Sequence, residues 1–221
     1  MKKTRVLLVR HGATELSAED RFAGAVDVPL SDAGRDQSRK LGNRLANEQI
    51  SAVYASPMKR TIETAELIVG EKKLPIRTMP ELREIAHGRW EGRKRSEVEK
   101  EFNTEYVRWE EDPYTFAPEG GESGLEVTAR ALPSLLKIVG QHEGTTILVV
   151  SHKATIRLLI SSLLGFDPRA YRDRLDMNPA ALNILDFRDL THARLTLYND
   201  ISHYDVDVPE VPTGRLSKTW S

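Results

Sequence analysis

The sequence predicts an α/β fold, a three-layer sandwich in which a mostly parallel central sheet is flanked by helices. Three observations carry this. Val6-Leu7-Leu8-Val9 and Thr146-Ile147-Leu148-Val149-Val150 are short continuous apolar runs, as expected of strands buried on both faces. Segments with helical apolar spacing lie between such runs. Strand and helix patterns then alternate over most of the 221 residues.

The elements follow in order. Val6 to Val9 is the first strand. Ser31 has the chemistry of an N-cap for a helix running to about Glu48, with Leu41 and Leu45 on one face. Ala52-Val53-Tyr54 is a second short strand. Ser56-Pro57 reads as the cap and first turn of a helix whose apolar face is Ile62, Ala65, Ile68 and Val69. Ser96 and Glu99 have capping-box spacing, as do Ser123 and Glu126. The second box opens a helix with Leu125, Ala129, Leu132, Leu136 and Val139 as its stripe, and Pro133 should kink or break it. Lys153 to Leu164 reads as a helix stopped by Gly165. Leu182 to Phe187 and Ala193 to Tyr198 are expected to be antiparallel neighbours. The stretch from about Glu81 to Gly121, rich in charge, Trp and Gly, interrupts the alternation and reads as an irregular insertion over the sheet. The expected organisation is one domain over residues 1–205 and a C-terminal tail over 206–221.

Composition narrows the function. Charged residues are 29% of the chain, yet the formal net charge is -1. A nucleic-acid binder would normally carry a basic excess, so none is expected. The chain has no cysteine, which removes disulfides, thiolate nucleophiles and Cys-ligated zinc. No apolar run approaches a membrane span, and the expected location is the cytoplasm. His142 and His192 form no metal-ligand spacing with another His, so neither a metal nor another cofactor is expected.

Two histidines directly follow strands: His11 in Arg10-His11-Gly12, and His152 in Ser151-His152-Lys153. Ligands of an open parallel sheet bind beyond the carboxyl ends of its strands, so both rings can reach one crevice. Gly12 permits close backbone approach, and the helix after His152 offers a positive end to an anion. Alone, each histidine is an ordinary strand-end residue. Joined to Arg60 and Glu84, they suggest chemistry on an anion.

Four segments occur in order: LVRHGATE from Leu8, SPMKRTIETAE from Ser56, ELREIAHGRWEG from Glu81 and VVSHKATIRLL from Val149. Together they resemble the histidine phosphatase superfamily, the phosphoglycerate-mutase-like proteins, from about residue 4 to residue 200. The resemblance implies an insertion that lies over the active site and a set of roles. His11 would be the nucleophile that becomes a phosphohistidine, its tautomer fixed by a backbone carbonyl. Arg10 and Arg60 would clamp the phosphoryl oxygens, with Gly12 beside them. His152 would donate to the same oxygens, and Glu84 would act as general acid and then base. Arg and His would then serve where metals serve elsewhere.

The chain departs from the family pattern twice. Ser17 stands where the family often has a phosphate-holding Asn, and Lys153 where it usually has Gly. Lys153 either points to solvent or supplies a cation for a substrate carboxylate. The short stretch after Glu84 looks like the phosphatase branch. His87, Gly120-Gly121-Glu122-Ser123 and the region around His203 resemble metal-independent phosphoserine phosphatases, which makes His87 and His203 candidate substrate contacts. Arg21, Phe22 and Gly24 lie in a loop that borders the substrate in the family; Arg21 is an anion contact or a solvated loop residue. The expected partner is a small phosphorylated metabolite. Phosphoglycerate mutase activity, or action on glucosyl-3-phosphoglycerate or sugar phosphates, stays an alternative, as does a non-catalytic binding protein on this fold. A homodimer is left open.

Overall fold

The computed structural model describes residues 3–15 and 21–204. The chain order is β1 (Thr4–Arg10), α1 (Asp32–Arg44), β2 (Ile50–Ala55), α2 (Lys59–Val69), β3 (Ile76–Thr78), α3 (Arg95–Glu101), α4 (Asn103–Glu111), α5 (Gly124–Gln141), β4 (Thr146–Ser151), α6 (Lys153–Leu164), α7 (Tyr171–Arg174), β5 (Leu182–Asp189) and β6 (His192–Asp200). The sheet order is β3-β2-β4-β1-β5-β6. β3, β2, β4 and β1 are mutually parallel, while β5 and β6 add an antiparallel edge. The expected three-layer α/β architecture with a mostly parallel sheet is therefore present.

Strand alternation makes the three layers. Val6, Leu8, Ile147 and Val149 face one way and pack on Ala131, Leu135, Ile138, Ile156 and Leu159 of α5 and α6. Leu7, Val9, Leu148 and Val150 face the other way and pack on Leu41, Ala65, Ile68 and Val69 of α1 and α2. β1 and β4 are thus apolar on both faces, which is why their sequences read as continuous runs. Truncating a residue as deeply buried as Leu135 to Ala costs about 2–5 kcal/mol through lost transfer energy and the cavity left behind.

The insertion has a core of its own. Phe22, Trp90, Val98, Tyr106 and Trp109 form a buried cluster, with Phe102 and Phe116 against it. Arg172 lies 3.9 Å over the Trp109 ring and ties this cluster to α7. Among the described residues no helix is long and apolar enough to cross a membrane.

Several local expectations need correction. Ser31 caps α1 by accepting from the Gly34 amide, but α1 ends at Arg44, four residues before Glu48. Ser56 caps nothing: α2 begins at Lys59, with Met58 at the cap position. The box at the start of α3 uses Glu97, which accepts from the Lys94 amide, so Ser96 and Glu99 lie inside the helix. Ser123 and Glu126 do form their box. α5 continues unbroken through Pro133. Its buried stripe is Val127, Ala131, Leu135, Ile138 and Val139, with Leu132 and Leu136 partly buried against the same core, whereas Leu125 is 50% exposed. Leu132, Leu136 and Val139 of the expected stripe thus do meet the core, and the centre of the buried face lies on Val127, Ala131 and Leu135. β3 has only three residues and carried no readable pattern. The proposed tail from 206 onward lies outside the described residues.

Candidate active site

β2, β4 and β1 are neighbours in the sheet and end level with one another. The Ser56 amide donates to the Val150 carbonyl at 3.1 Å, and the His11 amide donates to the Ser151 carbonyl at 3.0 Å. This parallel register delivers Ser56, His152 and His11 side by side at the carboxyl edge.

His11 is 6% exposed, and its Nδ1 lies 2.7 Å from the Gly12 carbonyl oxygen. A carbonyl only accepts, so Nδ1 carries the proton and Nε2 keeps its lone pair. Burial, then the charges of Arg60 and Arg10, push the His11 pKa well below the usual histidine value. The ring is therefore neutral near pH 7 and suited to nucleophilic attack. His152 is fully buried, with its ring centroid 5.2 Å from that of His11. Its Nε2 lies 2.8 Å from Ser56 Oγ, while its Nδ1 is buried without a partner among the described residues.

Two guanidiniums flank the pair. Arg60, on the first turn of α2 and 2% exposed, donates to the carbonyls of Val26 at 2.7 Å and Gly24 at 3.0 Å. Arg10 donates to the Met177 carbonyl at 2.5 Å, and its Nε is buried without a partner among the described residues. Burial, and then Arg157, bring the Arg10 pKa down to about 10, so it stays charged at neutral pH.

Glu84 reaches the same region from the turn after Leu82. Its carboxylate accepts from the Ala154 and Thr155 amides at 3.1 and 3.2 Å, the Ile85 amide at 3.0 Å and the Thr155 hydroxyl at 3.3 Å. The first turn of α6, directly after His152, thus holds the carboxylate. Arg10 and Arg60 both feel its charge. One crevice therefore holds a neutral nucleophile, an unpartnered histidine nitrogen, two cations and a carboxylate.

This is the equipment for moving a phosphoryl group, and family comparison decides its origin. The model of the histidine phosphatase superfamily (branch 1) matches residues 6–201. The chain belongs to that superfamily. As a histidine phosphatase it is a phosphoric monoester hydrolase. It is similar to phosphoserine phosphatase 1 of Hydrogenobacter thermophilus, at 34% identity over 74% of this chain and 77% of the relative. It is also similar to glucosyl-3-phosphoglycerate phosphatase of Mycolicibacterium vanbaalenii, at 31% identity over 75% of this chain and 76% of the relative. Among solved structures, Bacillus stearothermophilus YhfR superposes with a TM-score of 0.86 at 31% identity, covering 91% of this chain and all of that one (100%).

The histidine phosphatase structure brings together His11, His152, Arg10, Arg60 and Glu84, the residues for which the resemblance implied roles at the phosphoryl group. The remaining candidates are distributed differently. The Gly12 amide donates to Thr64 Oγ1 at 3.1 Å, which takes it away from a phosphate. Its lack of a side chain serves packing, since a Cβ there would stand 2.4 Å from the Gly34 carbonyl oxygen. Phe22 is a buried residue of the insertion's aromatic cluster, 4.8 Å from the His87 ring and 5.3 Å from Trp109. Gly24 acts through Arg60, whose guanidinium its carbonyl accepts. Arg21 donates to the Gly92 carbonyl at 2.8 Å and fastens its loop to the insertion. His87 lies in the aromatic cluster, its pKa held at about 3 by burial and by Arg95 and Arg172. His203 stacks edge-on against Tyr204 and has Arg44, Asp200 and Lys40 as charged neighbours. Lys153 does not point to open solvent: burial, Arg157 and Arg10 lower its pKa to about 7. Ser17 lies outside the described residues.

Sequence reasoning missed two supports of the site. Ser56 was read as a helix cap, although its position directly after a strand, like that of both histidines, was the available signal. Arg130 of α5 donates to both Glu122 carboxylate oxygens at 2.7 and 2.9 Å. It also donates to the carbonyls of Glu81, Arg83 and Glu84 at 2.5, 3.0 and 3.1 Å. It buckles the segment that carries Glu84 onto α5, and no local motif announces it.

Proposed function

We propose that this histidine phosphatase hydrolyses small organic phosphomonoesters through a covalent phosphohistidine on His11, without a metal ion. The observation that carries this reading is the His11 tautomer: Nδ1 is fixed by the Gly12 carbonyl, and Nε2 is left as the nucleophile between two guanidiniums. Nε2 attacks phosphorus, and the P–O bond to the leaving group breaks. Arg10, Arg60 and the Nδ1 proton of His152 stabilise the equatorial oxygens as charge shifts. Glu84, entering in its protonated form, gives its proton to the departing alkoxide. In the second half, Glu84 takes a proton from water, the water oxygen bonds to phosphorus, and the P–N bond to His11 breaks. Inorganic phosphate leaves and Glu84 is protonated again.

Phosphoserine is the first substrate to test, because a relative at 34% identity bears that name. Glucosyl-3-phosphoglycerate follows on the same ground. The experiment is turnover of p-nitrophenyl phosphate and of a panel of phosphorylated metabolites in EDTA, by wild type and His11→Ala. Activity that survives EDTA and disappears in His11→Ala, with an acid-labile, alkali-stable phosphoryl-enzyme trapped only in wild type, is the expected result. Loss of activity in EDTA, or a His11→Ala enzyme that still turns over, overturns it.

A further inference from the structure

One peptide unit beside the nucleophile is gripped at both ends. The Met177 carbonyl accepts from Arg10 at 2.5 Å, and the Asn178 amide, in the same peptide plane, donates to Asn199 Oδ1 at 2.7 Å. A trans peptide points its C=O and its N–H in opposite directions, so whatever holds the amide also aims the carbonyl. Among the described residues that carbonyl is the one hydrogen-bond acceptor of the Arg10 guanidinium, whose Nε is buried without a partner. The same turn also touches the nucleophile, since the Ala180 amide donates to the His11 carbonyl at 3.1 Å.

A β-bulge in β6 supplies the grip. Leu182 pairs with Asp200 and Ile184 with Leu197, so Tyr198 and Asn199 together face the single residue Asn183. Asn199 has φ of 48°, in the left-handed region that asparagine tolerates better than most side chains. A bulge leaves backbone groups without ladder partners. Here the Asn199 amide donates to Asn183 Oδ1 at 2.8 Å, and Asn183, fully buried, donates from Nδ2 to the Leu8 carbonyl at 3.0 Å. A polar side chain inside the sheet is costly unless its groups are paired, and the bulge accounts for this one. Consecutive side chains of a regular strand point to opposite faces. Both bulge residues nevertheless reach the turn after α7: the Tyr198 hydroxyl donates to the Asp176 carbonyl, and Asn199 holds Asn178.

We propose that Asn199 is a positioning residue for phosphoryl binding: its side-chain oxygen sets the Met177–Asn178 peptide that aims the Arg10 guanidinium, and Asn183 holds the bulge that presents it. The proposal rests on the reading of Arg10 as half of the phosphoryl clamp and extends the machinery to the antiparallel edge of the sheet. Asn199 acts through Arg10 and not on the substrate itself. Arg157 repels Arg10, so a fixed carbonyl opposes a displacement that the guanidinium would otherwise make. Without the Asn199 oxygen the Asn178 amide loses its acceptor, the peptide plane is free to turn, and the carbonyl no longer points at Arg10.

The test measures p-nitrophenyl phosphate turnover and competitive inhibition by inorganic phosphate for wild type, Asn199→Gly and Asn199→Asp, at a temperature where thermal unfolding shows all three to be folded. Glycine adopts the positive φ without strain but offers no side-chain oxygen, so the bulge should persist while the grip is lost. Asn199→Gly should lower kcat/KM about tenfold, mostly through KM, and raise the Ki for phosphate by a similar factor, with Tm close to that of wild type. Asn199→Ser, whose hydroxyl reaches less far, takes its place if the glycine variant melts early. Asn199→Asp keeps an acceptor at the same reach and should stay within about threefold of wild type in both quantities. An Asn199→Gly enzyme that matches wild type in kcat/KM and Ki overturns the proposal and leaves the phosphatase reading standing. So does an Asn199→Asp enzyme as impaired as Asn199→Gly, because the acceptor is then not the cause. A wild type that neither turns over p-nitrophenyl phosphate nor binds phosphate overturns the phosphatase reading, and the proposal with it.

Discussion

Ser56 Oγ and His152 Nε2 lie 2.8 Å apart, both fully buried, at the ends of adjacent parallel strands. A serine hydroxyl can donate into Nε2, and when it does the imidazole proton is left on Nδ1. That nitrogen is buried beside His11 and has no partner among the described residues. The serine thus selects the tautomer that can donate to a phosphoryl oxygen. Ser56→Ala removes this selection and strands Nε2, at a cost of about 1–3 kcal/mol for an unsatisfied buried group. The expected outcome is a fall of about tenfold in kcat on p-nitrophenyl phosphate, with KM changed less because both guanidiniums remain. Steady-state kinetics check it; an unchanged kcat would show that Ser56 does not orient His152.

Arg130 predicts a coupled loss of stability and activity. Its guanidinium binds the Glu122 carboxylate and three carbonyls of the 81–84 segment. Arg130→Met leaves the partly buried Glu122 without its cation, which costs about 3 kcal/mol. The same change frees the segment that positions Glu84, so kcat should fall at least tenfold. Arg130→Lys should recover stability better than rate, since an ammonium cannot span four acceptors in a planar fork. Urea denaturation alongside kcat for the two variants separates these effects.

The difference between what was legible in the sequence and what was not follows from the range of each interaction. β1 and β4 were readable because both of their faces are covered, and His11 and His152 because they follow those strands directly. Arg60 and Glu84 needed the joint alignment of four segments, since each stands among similar charges. Ser56 was misassigned because Ser-Pro is good cap chemistry; its use is set by the neighbouring strand, 96 residues away in sequence. The face of α5 was legible in part: Leu132, Leu136 and Val139 do pack on the core, while Leu125 is exposed and the centre of the face on Val127, Ala131 and Leu135 is chosen by tertiary packing. The aromatic cluster that takes up the Phe22 ring forms only on folding, so its packing role could not be read from the loop sequence.

His87 predicts how stability depends on pH. Its folded pKa is about 3, lowered by burial and by Arg95 and Arg172 from an unfolded value near 6.5. The unfolded chain therefore binds the proton more readily. The stability this provides is complete above about pH 6.5 and is lost as pH falls toward 3, by up to about 1.4 kcal/mol per pH unit. His87→Phe places a ring of similar size against Phe22 and Trp109 without the titration. Urea unfolding between pH 7 and 4 should give a shallower decline for this variant than for wild type. Equal slopes would mean that His87 is not held neutral in the fold.

Gly24 predicts a binding defect with little change in chemistry. A Cβ there would stand 1.8 Å from the Ile85 carbonyl oxygen, a backbone atom that cannot swing aside. Gly24→Ala must therefore push its own loop away from the insertion. That loop carries two acceptors for Arg60, the Gly24 and Val26 carbonyls, and Ala25 N–H donates to Glu91. Arg60 would keep its charge and its place on α2 but lose the carbonyls that aim it, which weakens a contact made in both ground and transition states. KM for every phosphomonoester should rise about tenfold, and the affinity for inorganic phosphate as a competitive inhibitor should fall by a similar factor. An unchanged KM and an unchanged affinity for inorganic phosphate would show that this loop does not aim Arg60.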